Sequence, residues 1–125
     1  MAILQSVLIW IVVLLHIYFL VLEMFLWTKP LGLKTFRMSP AQAQDRAVLA
    51  ANQGLYNGFL AAGLIWAQFH PNAFFGNQIA IFFLGCVVVA ALYGGYSVGK
   101  KILIIQGLPA LVALAALLLS QPLPS

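Results

Sequence analysis

Residues 3–27 read ILQSVLIWIVVLLHIYFLVLEMFLW, and Glu23 is the one charged side chain in the run. A helix of that length, rising about 1.5 Å per residue, crosses a hydrocarbon core of roughly 30 Å with some tilt. The rest of the 125-residue chain matches: 64% of it is hydrophobic and 6% charged. A soluble domain carries about a quarter charged residues because its surface faces water. A water-soluble domain is therefore excluded, and the lipid bilayer is the first partner. The net charge of +4 comes from six Lys and Arg against two acids. These form no basic helix or aromatic-interleaved stripe, so nucleic acid is not expected as a partner. Met1-Ala2-Ile3-Leu4 offers no basic residue, and the segment reads as a retained span rather than a cleaved signal.

Three further apolar segments follow at about 49–69, 79–98 and 102–119. None alternates with period two as a membrane barrel strand would. The expectation is an all-α, polytopic membrane protein: one four-transmembrane-helix bundle over residues 1–125, with a long loop at 28–48. Every basic residue lies in that loop (Lys29, Lys34, Arg37, Arg46) or between the third and fourth spans (Lys100, Lys101). The positive-inside bias then puts both loops in the cytoplasm and both termini outside. So strong a bias opposes a dual-topology dimer. Ser39-Pro40-Ala41-Gln42 carries an N-cap hydroxyl, Pro at the first helical position and a capping-box Gln, so helix two begins before the membrane. Gly99-Lys100-Lys101 leaves room only for a tight hairpin, and Pro109 should kink the last span. Gly54, Gly58 and Ala62, and Ala91, Gly95 and Gly99, recur at four-residue spacing as close-packing faces.

The polar residues concentrate at one depth. Glu23 lies four residues before the end of the first span, Asn52, Gln53, Tyr56 and Asn57 follow the start of the second, and Tyr93, Tyr96 and Gln106 flank the basic hairpin. An ionisable group at such a depth is costly unless it faces the bundle interior or a wet cavity, so this layer is the candidate site. The competing explanation is interhelical hydrogen-bond glue, with Glu23 paired to Lys29 or Arg46. The outer half holds mainly Gln5, Ser6, Gln68 and His70. His16, seven residues before Glu23 on one helix face, is either a packing residue or a relay partner. The two histidines lie too far apart to share a metal or haem. Cys86 stands alone in the apolar run Gly85-Cys86-Val87-Val88-Val89, and no nucleophile–base pair is readable.

Two resemblances enter at these residues. Glu23-Met24-Phe25-Leu26-Trp27-Thr28, followed by Asn52-Gln53-Gly54-Leu55-Tyr56-Asn57-Gly58, looks like the hallmark of a small bacterial four-helix membrane family of unknown function. The stretch from Arg46 to Asn57 also resembles the second-helix motif of the MAPEG superfamily (membrane-associated proteins in eicosanoid and glutathione metabolism). Arg46, Ala47, Ala50, Gln53 and Asn57 fall at matching or similar positions, and Leu92-Tyr93-Gly94-Gly95-Tyr96 matches a tyrosine-rich end of helix three. This implies a MAPEG-like homotrimer with glutathione as a candidate cofactor and a site for an amphiphilic small molecule in the cytoplasmic membrane half. The motif's second arginine is Leu49 here, its glutamate is Tyr56, and the thiol-activating arginine before the helix-three tyrosines has no counterpart. A glutathione thiolate would lack its main electrostatic stabiliser.

The reading is therefore a protein that binds or processes an amphiphile through Glu23, Arg46, Asn52, Gln53, Tyr56, Asn57, Tyr93 and Tyr96, and whether it is an enzyme stays open. The alternatives are a small proton-coupled transporter using Glu23 and a structural membrane subunit.

Overall fold

The computed structural model describes residues 2–120, and all secondary structure among them is helical. Helix α1 (Ile3–Met24) is followed by a short α2 (Pro30–Phe36), the 30-residue α3 (Pro40–Phe69) and α4 (Ala73–Ser97). The last helix, α5 (Lys100–Leu119), contains a π-helical stretch at Leu103–Gly107. By length and composition α1, α4 and α5 can each cross a membrane, with 22, 25 and 20 residues. The longer α3 is not among them, because Asn52, Gln53 and Asn57 interrupt its apolar sequence. Met1 and residues 121–125, on which the expected placement of the termini partly rests, lie outside the described residues.

Helix boundaries follow local chemistry. Ser39 Oγ accepts the Gln42 N–H and Gln42 Oε1 accepts the Ser39 N–H, both at 3.1 Å, a reciprocal capping box that starts α3 at Pro40. Asn72 caps α4 by accepting the Phe75 N–H at 3.0 Å. That cap starts the helix at Ala73, six residues before the expected span at 79.

The first span is shorter than residues 3–27. Helix α1 stops at Met24, and the indole of Trp27 donates to the Ala43 carbonyl at 3.0 Å while its ring packs on Phe36. Trp27 therefore ties the turn to the start of α3 instead of extending the span. The 28–48 segment, read as a loop, holds α2, which closes on Arg37 at φ 53°.

The α4–α5 hairpin turns at Gly99, whose φ of +158° is one L side chains rarely adopt. Added β-carbons at Gly94 and Gly95 would lie 2.8 Å from Ile102 Cγ2 and 2.9 Å from Leu103 Cβ. The two glycines thus let the first turn of α5 close on α4. Where a kink was expected at Pro109, the helix carries a π stretch just before the proline. Proline has no N–H for the carbonyl four residues back, and a wider turn relieves its ring of that carbonyl.

The chain divides into two compact units, one made of the described residues up to Leu14 with those from Leu60 onward, the other Leu15–Phe59. In the first unit every long helix supplies the core: Ile9, Val12 and Val13 of α1, Ala61, Leu64 and Ala67 of α3, Leu84 and Val87 of α4, Ala110, Ala113 and Leu117 of α5. Alanine and valine make up seven of these eleven side chains. In lipid the drive for such a seam is close dispersion contact rather than escape from water. The second unit pairs the end of α1 with the first half of α3, where Ala43, Ala50, Gly54 and Asn57 form the buried stripe. Of the small-residue face expected at Gly54, Gly58 and Ala62, Ala62 is exposed and Ala61 is buried in its place. A four-residue repeat drifts about 40° per step on a helix of 3.6 residues per turn, so the third member leaves the seam.

Candidate functional site

Within the Leu15–Phe59 unit, two glycines bring α1 and α3 close enough for their polar residues to meet. A β-carbon at Gly54 would lie 2.7 Å from Met24 Cγ, 3.1 Å from Glu23 Cβ and 3.3 Å from the Leu20 carbonyl oxygen. One at Gly58 would lie 2.7 Å from Leu20 Cδ1. Between these glycines Asn57 Nδ2 donates to Glu23 Oε1 at 2.5 Å. Both residues are buried, at 6% exposure for Glu23 and 8% for Asn57. The bond from an amide to a carboxyl oxygen is charge-assisted when the acid is ionised, and such bonds are shorter and stronger than neutral ones. Glu23 thus takes an amide partner rather than Lys29 or Arg46. His16 is fully buried earlier on the same helix and stands edge-on to Phe19 at 5.5 Å between ring centroids.

The other residues singled out on α3 face outward. Arg46, Asn52 and Gln53 are exposed, and Tyr56 is exposed with its ring 5.7 Å from Phe59. Leu49, Leu55 and Phe59 are exposed alongside them. The outer surface of α3 is therefore apolar with a polar band, over a seam closed by Glu23 and Asn57. Tyr93 and Tyr96 belong to the other unit, where they lie exposed on α4 with ring centroids 6.5 Å apart.

The end of the first unit opposite the basic hairpin is more polar than its sequence suggested. Gln5 Nε2 donates to the Ala116 carbonyl at 3.2 Å and to Ser120 Oγ, and Ser6 Oγ donates to Gln68 Oε1 at 3.2 Å. His70 Nδ1 accepts the Asn72 N–H at 3.0 Å. Gln68, His70, Gly76 and the buried Asn77 line a cavity of about 240 Å³. Asn72 and Asn77 were not singled out in the sequence; Asn72 two residues after His70, ahead of an apolar helix, was the legible signal, as an N-cap. Among the described residues no group of three or more His, Cys, Asp or Glu could hold a metal ion, and Cys86 is free and half-buried on α4.

The family described as "Protein of unknown function (DUF1304)" matches residues 10–118. An uncharacterized protein, YpaA, of Lactococcus lactis subsp. lactis (strain IL1403) is 34% identical over 116 residues, covering 91% of this chain and 96% of the relative. No solved structure matches. These matches do not show the MAPEG resemblance. The family match takes in both Glu23 and Asn57, all of α3 and α4, and most of α1 and α5. The chain belongs to the DUF1304 family.

Proposed function

We propose that the chain is a four-span integral membrane protein that binds an amphiphile against the outer face of α3. The amphiphile's polar or anionic head lies at Asn52, Gln53 and Tyr56, with Arg46 at the mouth and the Glu23–Asn57 pair directly behind. The observation that carries this reading is the exposure of two amides and a phenol on a helix whose neighbouring exposed residues are apolar. In hydrocarbon, polar side chains without partners cost free energy, so this face needs a polar cover. A ligand head supplies one part of it and a second copy of the chain another, which accords with a MAPEG-like homotrimer. A glutathione conjugate is one amphiphile of this kind. The Glu23–Asn57 hydrogen bond favours a second reading, a structural subunit in which the polar layer only joins helices.

Substituting the exposed amides separates the two. Asn52→Leu or Gln53→Leu is expected to lower the amount of amphiphile retained through purification by about five-fold, the worth of one hydrogen bond, with the fold intact. Gln68→Ala, in the other unit, should leave it unchanged. Mass spectrometry of the solvent extract reads the result, and equal retention in all variants supports the structural subunit.

The four-span arrangement places Thr35 inside and Phe74 outside the cell. In a Cys86→Ala background, an impermeant thiol reagent is expected to label Phe74→Cys and not Thr35→Cys in intact cells. The reverse pattern contradicts the arrangement.

A further inference from the structure

Between α4 and α5 runs an apolar groove of about 290 Å³, walled by Val88 and Leu92 on one side and Ile104, Leu108 and Leu111 on the other, with Gly107 buried at its base. We propose that this groove seats one acyl chain of an anionic phospholipid whose phosphate is held by Lys100 and Lys101.

Three observations favour that occupant. Both lysines are exposed and stand one turn before the groove-lining residues of α5. Residues 60–125 contain no Asp or Glu, so nothing in this part of the sequence neutralises them. From Lys101 to Leu111 the helix rises about 15 Å, half of a roughly 30 Å core, which is the depth of one leaflet and of one acyl chain. A helix from a second copy would follow α5 through both leaflets. The π stretch at Leu103–Gly107 shapes the upper wall, and the buried Gly107 leaves that side without a projecting side chain. Charge selects the head and shape accepts the chain.

The test uses the full-length protein in nanodiscs of palmitoyl-oleoyl phosphatidylglycerol and phosphatidylcholine in equal amounts, released into native mass spectrometry to count the lipids that stay bound. The wild type is expected to retain phosphatidylglycerol in preference to phosphatidylcholine. Lys100→Gln/Lys101→Gln should reduce that preference by up to about twenty-five-fold, since each lysine near an anionic surface contributes a factor of about five at most. Leu108→Trp, which fills the groove and keeps both lysines, should reduce retention of both lipids. Equal retention by all three proteins overturns the proposal. So does a lysine effect without a tryptophan effect, which means surface attraction alone, and so does a change of subunit count in Leu108→Trp, which means that a second copy occupies the groove. None of these substitutions touches α3, so the outcome is independent of the amphiphile site proposed there.

Discussion

Gly54→Leu is expected to destroy the folded protein, the largest effect of any single substitution considered. A β-carbon alone at this position meets Met24, Glu23 and the Leu20 carbonyl oxygen at 2.7 to 3.3 Å, and a leucine adds three more carbons beyond it. Overpacking a close seam costs about 1–3 kcal/mol even where side chains can yield. Here one of the obstructing atoms is backbone, so α1 and α3 must part and the Glu23–Asn57 hydrogen bond is lost with them. The loss should reach about 3 kcal/mol or more, seen as the absence of a monodisperse peak in mild detergent. Ala62→Leu is the matched control. It adds the same side chain at an exposed position of the same helix and should leave the fold intact. A Gly54→Leu protein as stable as wild type would mean that α1 and α3 do not approach as described.

The second large effect is expected at the hydrogen bond itself. Asn57→Leu leaves a carboxyl group buried with its amide donor gone, and Glu23→Leu leaves a buried amide without its acceptor. Abandoning one neutral buried partner costs about 1–3 kcal/mol, and a charged one more. Each single change should therefore cost about 1–3 kcal/mol. The double variant should recover a good part of the loss, because two apolar side chains leave no orphan. Equilibrium unfolding in denaturing detergent across all four proteins gives the coupling. Strict additivity would show that the two side chains do not share a bond in the membrane.

How far these residues could be read from sequence depends on the range of the interaction. The Ser39–Gln42 capping box is local and was legible because four residues contain the whole cause; at Pro109 the proline was legible but the π stretch that precedes it was not. Glu23 and Asn57 were legible as members of one polar layer, since depth follows from counting residues along a helix. Their pairing was not, because it depends on the rotation of α1 against α3, which Gly54 and Gly58 set by close approach. For the same reason sequence placed Asn52, Gln53 and Tyr56 in the layer but could not tell that they face outward while Asn57 faces in. The end of α1 was misjudged because Phe25-Leu26-Trp27 is as apolar as the span before it. What stops the helix there is a turn pinned by a contact with Ala43, sixteen residues on. The cavity beside His70 went unread because its lining comes from the end of α3 and the start of α4, across a turn that brings Gln68 and Asn77 together.

The central claim is that the polar outer face of α3 is covered, by an amphiphile and by neighbouring copies of the chain. Native mass spectrometry of the wild-type protein released from mild detergent tests this most directly, because one spectrum reports both subunit count and bound mass. The expected result is a trimer carrying additional non-protein mass that Gln53→Leu diminishes. A bare monomer, with the same spectrum from Gln53→Leu, would contradict the claim.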